Sequence, residues 1–220
     1  MVTVAAHQPH FFPWLGYLEK WRQSDVFILL DDVAYTKGDY INRNRIKING
    51  EVRWLTLPLE KQPISTPICK QRLSTDFWQA GQRLTLAQAY PQMPAWCVLK
   101  LDTLYGSPSR LLQYWCLQSL TLLQTGYAVD GQPWGMTALA SRQQIDPELK
   151  GTARLVALCK SMGATAYLSG VGAKAYLEPE LFDKAGIELK WQERKPPGDL
   201  SALHYLLMGN IAAEEWLRGD

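Results

Sequence analysis

The chain has 220 residues, of which 47% are hydrophobic and 20% charged, so it is neither disordered nor fibrous and can bury a substantial core. Its 23 Lys and Arg residues against 21 Asp and Glu residues leave a formal charge of +2, too small for a broad electrostatic footprint on nucleic acid. The first residues lack the basic and apolar pattern of a signal peptide, and no apolar run of about eighteen residues occurs, so we expect a soluble, cytoplasmic, single-domain protein over residues 1–220.

A parallel β-α-β crossover is predicted at the start of the chain. The segments Val2 to Ala6 and Val26 to Leu30 are short apolar runs typical of buried strands. Between them, Trp14 to Arg22 can pack as a helix, and this spacing is that of a parallel crossover. We therefore predict an α/β fold with a Rossmann-like core and a mainly parallel sheet.

A β-hairpin insertion is predicted next. The runs Arg45 to Ile48 and Val52 to Leu57 flank Asn49-Gly50, a pair that tolerates the positive φ angles of a type I′ turn. The segment Lys61 to Thr66 contains Pro63, which removes a backbone donor, so we predict a loop there.

A helical middle is predicted over about residues 77–126. Apolar residues recur there at intervals of three and four residues in three stretches, Phe77 to Tyr90, Ala95 to Tyr105 and Pro108 to Thr125. Ser107 before Pro108 is a good N-cap and N1 pair for the third helix.

The remainder of the chain returns to alternating strands and helices. We predict strands over Thr137 to Ser141, within the mixed region Ala128 to Gln144, and over Thr165 to Leu168 and Ile187 to Gln192. We predict helices over Thr152 to Met162, Pro179 to Ala185 and Leu200 to Met208. The cysteines Cys69, Cys97, Cys116 and Cys159 lack the close spacing of a zinc or redox motif and are interpreted as packing residues.

The first candidate site is the segment His7 to Tyr17, between the first strand and the first helix. Ligands bind at the carboxyl ends of strands in open parallel sheets, and helix N-termini offer free amides to anions. His7 and His10 are two of the three histidines in the chain, and histidine serves as an acid or a base. The alternative is a turn whose aromatic residues anchor the helix.

Three further candidates follow along the chain. Asp31 and Asp32 end the second strand, either as functional carboxylates or as a solvated strand terminus. The segment Asn42-Arg43-Asn44, with Lys37 and Lys47, supplies donors for a phosphate or a carboxylate, or is ordinary solvated charge.

The last candidate is the loop from Tyr167 to Tyr176. Gly170, Gly172 and Ala175 fit the dinucleotide pattern formally, but Pro179 interrupts the helix that should follow. The alternative is a loop whose backbone amides hold a phosphate or a carboxylate.

Three segments resemble the WbqC-like family of bacterial proteins, namely HQPHFFPWLGYLEKWRQSDVFILLDDV, NRNRIKINGEVRWLTLPL and GTARLVALCKSMGATAYLSGVGAKAYL. The resemblance spans roughly Val2 to Pro58 and Lys150 to Gln192. Members occur in gene clusters for bacterial surface polysaccharides such as O-antigen, and a glycine-transferase role has been suggested for some. The residues carried over by position are His7, Gln8, Pro9, Trp14, Gly16, Tyr17, Asn42, Arg43, Asn44, Ser169, Gly170, Gly172 and Tyr176.

The chain departs from the family pattern at two places. Val33-Ala34-Tyr35 lacks an amide that members commonly carry after the second strand. Leu200-Ser201-Ala202-Leu203-His204 places a histidine where members have an acidic residue, so His204 is either a compensating site residue or a partly exposed helical histidine.

The resemblance implies a transferase that joins an amino-acyl or acyl group to an amino sugar or nucleotide sugar. His7 is then the catalytic base with Asp32 as a second catalytic residue, and His10, Lys47 and His204 join the substrate-binding residues. We expect a small-molecule substrate, a nucleotide or nucleotide-sugar ligand, no cofactor or metal, and no need for nucleic acid. The alternatives are adenylyl or nucleotidyl transfer and a sugar-nucleotide-binding protein without catalysis.

Overall fold

The computed structural model describes residues 1–63, 65–128 and 134–219. In chain order, the strands are β1 (Thr3–His7), β2 (Val26–Leu29), β3 (Arg43–Ile48), β4 (Glu51–Thr56), β5 (Met136–Leu139), β6 (Ala166–Ser169) and β7 (Glu188–Trp191). The helices are α1 (Leu15–Arg22), α2 (Trp78–Ala89), α3 (Ala95–Tyr105), α4 (Leu112–Gly126), α5 (Gly151–Ser161), α6 (Pro179–Lys184), α7 (Ala202–Leu207) and α8 (Ile211–Arg218).

These elements group into two compact units. Unit 1 consists of Met1–Gln8, Gly16–Asp32 and Pro133–Lys195, and unit 2 consists of Pro9–Leu15, Val33–Gln132 and Pro196–Asp220. Unit 1 contains the parallel sheet, and unit 2 contains the β3-β4 hairpin with helices α2, α3, α4, α7 and α8.

The sheet of unit 1 has the strand order β5-β2-β1-β6-β7, and every neighbouring pair is parallel. β1 is the central strand, with β2 and β5 on one side of it and β6 and β7 on the other. This is the order of a doubly wound, Rossmann-like sheet, so the predicted α/β fold is confirmed.

Helices cover both faces of this sheet, because alternate side chains of a strand point to opposite sides. On one face, α5 and α6 complete a core that contains Val4, Ala6, Val26, Ile28, Val156, Cys159, Tyr167 and Phe182. On the other face, the Phe27 ring packs against the rings of Tyr17 and Trp21 of α1, with centroid distances of 5.1 and 6.0 Å.

The hairpin of unit 2 forms as predicted. β3 and β4 pair in antiparallel register from Arg43 opposite Thr56 to Ile48 opposite Glu51. Asn49 and Gly50 join them with φ angles of 52° and 82°, the left-handed values that a type I′ turn requires. The predicted loop after the hairpin contains no strand or helix in its described residues, and residue 64 lies outside them.

The helical middle is confirmed, but the predicted start of α4 is wrong. The Ser107 hydroxyl accepts a hydrogen bond from the Ser109 amide, but no helix follows at Pro108, and Leu111 occupies the N-cap position of α4. The backbone of Leu111 is extended and bridges to Arg72, so the helix begins only at Leu112. Tertiary pairing has overridden a good local capping signal here.

The C-terminal elements follow the predicted order, with one helix more than predicted. The predicted strand over 137–141 is β5, while residues 129–133 of the mixed region lie outside the described residues. α8 was not predicted, and the Asn210 side chain caps it by accepting from the Ala213 amide. Cys97, Cys116 and Cys159 are buried, as expected of packing residues, while Cys69 is only partly buried.

Candidate functional site

The strand order of unit 1 places a switch point between β1 and β6, where successive crossovers turn to opposite sides of the sheet. We use "switch point" for the carboxyl ends of these two strands, residues 6–8 and 169–170. Ligands of doubly wound sheets bind outside the carboxyl ends of the strands at this location. Five of the predicted site residues, His7, Gln8, Tyr17, Ser169 and Gly170, lie in the switch point or contact it.

His7 is the last residue of β1, and its ring is positioned by two neighbours. Nδ1 lies 3.1 Å from the carbonyl oxygen of Gln8, and the Tyr17 ring packs against the imidazole with centroids 4.7 Å apart. The Tyr17 hydroxyl donates to the same Gln8 carbonyl at 3.1 Å. Because a carbonyl only accepts, Nδ1 carries the proton in the neutral ring and Nε2 carries the lone pair.

The pairing of β1 with β6 ends before either strand does. The last paired residues are Ala5 and Leu168, although β1 continues to His7 and β6 to Ser169. The Val2 carbonyl accepts from Ala166 of β6, and alternate carbonyls of a parallel strand point to the same neighbour. The Ala6 carbonyl therefore points toward β6 at the position where the ladder has stopped.

Lys20 of α1 donates a hydrogen bond from Nζ to this Ala6 carbonyl oxygen at 3.1 Å. The residue is buried, and burial lowers the pKa of Lys20 to about 7. Lys20 was not among the predicted site residues. Its signal was weak but present, since Lys20 follows Tyr17 by three residues and so shares a helix face with it.

Gln192, directly after β7, holds the start of α1 at the same edge of the sheet. Its Nε2 donates to the Gly16 carbonyl at 2.7 Å and to Glu19 Oε2 at 2.5 Å. Burial raises the pKa of Glu19, and the Gln192 hydrogen bond and the Arg194 charge act against that rise. The predicted site residue Gly16 is thus held through its backbone carbonyl, and Gln192 is a second contact residue that was not predicted from the sequence.

The loop after β6 does not have the geometry of a dinucleotide site. Residues Val171–Ala175 form a 3-10 turn, and α6 begins only at Pro179. A side chain at Gly172 would meet open space, and one at Gly170 would come no closer than 4.0 Å to Gln192, so neither glycine is required by a close approach. Tyr176, also predicted as a site residue, is exposed at the end of this turn.

Asp31 is buried and tied to the neighbouring strand, so it is not a solvated strand terminus. Its carboxylate accepts from the Ser141 amide at 2.9 Å and from the Ser141 hydroxyl at 2.6 Å. Ser141 follows β5, so Asp31 joins the carboxyl ends of β2 and β5.

We expect Asp31→Ala to lower the free energy of unfolding by about 2 kcal/mol, because the fully buried carboxylate of Asp31 accepts two hydrogen bonds from Ser141 that alanine cannot accept. Urea unfolding measures this change, with Ser141→Ala as the matched control that removes the hydroxyl alone. In the Ser141→Ala background the cost of Asp31→Ala should fall. Equal costs in both backgrounds would show that the two residues are not coupled.

Asp32 is paired with a cation on a helix. Its Oδ2 accepts from Arg154 Nη2 of α5, and both side chains are largely buried. Asp32 Oδ1 and Arg154 Nε are buried without a hydrogen-bond partner within the described part of the chain. Asp32 thus lies one strand away from His7, paired with Arg154 through one oxygen, while its other oxygen is buried.

In unit 2, Asn44 and Ser201 hold a strained residue. Phe12 has a φ of 43°, a left-handed value that is uncommon for an aromatic residue. The Phe12 carbonyl accepts from Asn44 Nδ2 at 2.8 Å and from Ser201 Oγ at 2.7 Å. The Phe12 amide donates to Ser119 Oγ at 3.0 Å. These bonds account for Asn44 as a stabilising residue of unit 2.

We expect Asn44→Ala to lower the free energy of unfolding by about 1–2 kcal/mol, since one of the bonds that fix Phe12 is lost. Asn44→Asp is the matched variant, because it keeps the size of the side chain but cannot donate to a carbonyl. Denaturant unfolding should show both variants below the wild type. A wild-type midpoint for Asn44→Asp would assign the effect to packing alone.

The outer face of the hairpin combines cations with aromatic rings. The Arg43 guanidinium stacks over the Trp54 ring at 4.2 Å, and the Tyr40 ring lies 5.6 Å from the same indole. Arg45 is on the same face and pairs with Asp199 at 2.7 Å. Arg43 also donates to the Gly38 carbonyl at 2.5 Å, so its guanidinium is held in place.

The other predicted residues of unit 2 have mixed surroundings. Asn42 is buried, where it accepts from the Tyr35 hydroxyl and donates to the Leu57 carbonyl, both at 2.8 Å. His10 is buried, with its ring 6.1 Å from that of Tyr40, while Trp14 bridges to Ser201 through its backbone. Asn42 and Asn44 are therefore not ordinary solvated residues.

His204 is buried in α7 rather than partly exposed. Its Nδ1 lies 2.8 Å from the Tyr90 hydroxyl. Burial and the Lys47 charge both lower the pKa of His204, and burial raises the pKa of Tyr90 to about 12. This histidine is therefore a neutral hydrogen-bonding partner of Tyr90 within unit 2.

Two features are absent from the described residues. Over residues 1–63, 65–128 and 134–219, no group of three or more His, Cys, Asp or Glu side chains could hold a metal ion. No helix in the same ranges is both long and apolar enough to cross a membrane.

Comparisons with known proteins cover most of the chain. The model of the WbqC-like protein family matches residues 8–199. The uncharacterized protein Rv1507c of Mycobacterium tuberculosis is 29% identical over 198 residues, which cover 87% of this chain and 82% of that protein. No solved structure gives a significant match.

Proposed function

Since the chain belongs to the WbqC-like protein family, we propose that it is a transferase that joins an acyl or amino-acyl group, such as glycine, to an amino sugar carried by a nucleotide. The product would enter the synthesis of bacterial surface polysaccharides such as O-antigen. The observation that supports this proposal best is the position of His7, a histidine with a fixed ring at the switch point of a doubly wound sheet.

The surroundings of His7 fit the role of a general base. The Gln8 carbonyl accepts the Nδ1 proton, and in that tautomer Nε2 carries the lone pair, which takes a proton from the substrate in the proposed reaction. The Tyr17 ring limits rotation of the imidazole, as the third group of a catalytic arrangement does when it orients the base. Histidine is suited to this role because its ordinary pKa lies near neutral pH.

The proposed reaction is the transfer of an acyl group from a thioester to an amine. The amine nitrogen of the sugar attacks the thioester carbonyl while His7 Nε2 takes one proton from that nitrogen. The carbon–nitrogen bond forms, the carbon–sulfur bond breaks, and the thiolate leaves with the proton that His7 returns. The products are an amide and a free thiol, and His7 is again neutral.

A product assay tests the proposal directly. The protein is incubated with acyl and amino-acyl thioesters together with amino-sugar nucleotides, and mass spectrometry follows the nucleotide sugar. We expect one nucleotide sugar to gain the mass of the acyl group with release of one thiol. Release of pyrophosphate with nucleotide transfer would instead favour nucleotidyl transfer. Binding without any product over long incubation would favour a protein that recognises sugar nucleotides without catalysis.

A further inference from the structure

Lys20 is a cation buried where the fold does not balance its charge. The exposed fraction of the residue is 6%, and the Ala6 carbonyl accepts one of its three N–H donors. Within the part of the chain that the structure describes, no carboxylate pairs with this ammonium. The Phe27 ring lies beside it, with the centroid 6.0 Å from Nζ.

Stability alone does not account for a lysine at this position. A buried charge without a counter-charge destabilises a fold, and an apolar side chain of similar length fills the same space without that cost. Proteins commonly keep such a destabilising residue where function requires it. The position of Lys20 indicates which function that is.

The ammonium lies at the switch point itself. It donates to the Ala6 carbonyl, the first β6-facing carbonyl beyond the end of the β1-β6 ladder. Lys20 is in the last turn of α1, the helix that follows the first strand, and its side chain extends back to the end of β1. In doubly wound sheets, the phosphates of a bound nucleotide lie at the N-terminus of that helix, next to the switch point.

We propose that Lys20 binds the diphosphate group of the nucleotide substrate at the switch point. This inference rests on the proposed function, because it takes the acceptor to be a nucleotide-linked sugar. The anion would supply the missing counter-charge and accept from the two remaining N–H donors of Lys20. Burial lowers the pKa of Lys20 to about 7, and a bound anion would raise it again because opposite charge favours the ammonium.

Isothermal titration with inorganic pyrophosphate at pH 6.5 tests the inference without requiring a reaction. We expect the wild type to bind pyrophosphate, and Lys20→Met to weaken binding at least tenfold. Lys160→Met is the matched control, because Lys160 is an exposed lysine of α5 in the same unit, and it should bind as the wild type does. Absence of binding to the wild type, or equal binding by Lys20→Met, would overturn the inference.

Lys20→Gln separates the charge from the hydrogen bond. Its amide can still donate to the Ala6 carbonyl, so it preserves the local strand contact while removing the charge. Loss of pyrophosphate binding in both Lys20 variants would support the inference, whereas full binding by Lys20→Gln would show that Lys20 only stabilises β1. A pH titration of the lysine Cε resonances by NMR gives the pKa of Lys20, whose resonance is the one absent from Lys20→Met. We expect this pKa to be higher in the presence of pyrophosphate.

The same measurements distinguish this inference from the proposed transfer reaction. Pyrophosphate binding that depends on Lys20, without any amide product, would support the anion site and contradict the proposed transferase activity. Product formation at the wild-type rate by Lys20→Gln would support the transferase activity and show that Lys20 does not bind its substrate. Nucleoside diphosphates titrated against their nucleosides then show whether the bound group is a nucleotide diphosphate or free pyrophosphate alone.

Discussion

Replacing His7 by alanine is expected to lower kcat for amide formation by about 10² to 10⁴, the range typical of removing a general base. In the proposed reaction, His7 Nδ1 donates to the Gln8 carbonyl, and Nε2, which carries the lone pair in that tautomer, takes the substrate proton. Alanine leaves no acceptor in its place. Steady-state kinetics with the nucleotide sugar and donor found by the product assay give the measurement.

Three controls make the His7 prediction specific. His7→Gln keeps a polar side chain of similar size but has no basic nitrogen, so it should be as slow as alanine. Added imidazole should partly restore the rate of His7→Ala by supplying the missing base. Tyr17→Phe keeps the ring packed on His7 and removes only the hydroxyl that donates to Gln8, so it should lose no more than a few fold. A wild-type rate for folded His7→Ala would rule out His7 as the base.

Lys20→Met is expected to raise the free energy of unfolding by about 3 kcal/mol at pH 6. Burial lowers the pKa of Lys20 from its ordinary value of 10.5 to about 7. Keeping the residue protonated in the folded state at low pH therefore costs about 4–5 kcal/mol. Methionine removes this cost and fills similar space. The loss of the hydrogen bond to the Ala6 carbonyl destabilises the variant by about 1 kcal/mol, which leaves a net gain of about 3 kcal/mol.

The stabilisation should depend on pH in a defined direction. Below pH 7, both the folded and the unfolded chain hold the Lys20 proton, so the full cost is present. Between pH 7 and 10.5, the unfolded chain still binds this proton and the folded chain does not, so wild-type stability rises with pH. The advantage of Lys20→Met should therefore shrink across this range.

Urea unfolding of the wild type and Lys20→Met at pH 6, 7.5 and 9 measures this dependence. Lys160→Met serves as the exposed control and should change stability little at any of these pH values. A Lys20→Met variant less stable than the wild type at pH 6 would contradict the prediction. It would mean that the bond to Ala6 outweighs the cost of the buried charge.

Elements that depend on local chemistry were predictable from the sequence. Asn49-Gly50 predicted the hairpin because few other pairs accept positive φ at both positions, and the observed angles agree. The strand, helix and strand spacing of the first thirty residues likewise predicted a parallel crossover and so the Rossmann-like core. His7 was predicted as a site residue because it directly follows an apolar run read as a parallel strand, and ligands bind at the carboxyl ends of such strands.

Features that depend on strand order could not be predicted in this way. Lys20 contacts the end of β1, and Gln192 contacts α1 from the end of β7, but no local pattern reveals which strands become neighbours. A helical lysine is by default an exposed residue, so its burial is visible only in the folded sheet. The pairing of Asp32 with Arg154 likewise joins residues more than a hundred positions apart.

The strand order of unit 1 also has a consequence for synthesis of the chain. β1 and β2 emerge first from the ribosome, but their outer neighbours are β6 and β5, which follow the hundred residues assigned to unit 2. At roughly 5–20 residues per second, the β1-β2 pair keeps both edges unpaired for about 5–20 s. Because open apolar edges template aggregation, production of this protein should improve at low temperature or with added holding chaperones.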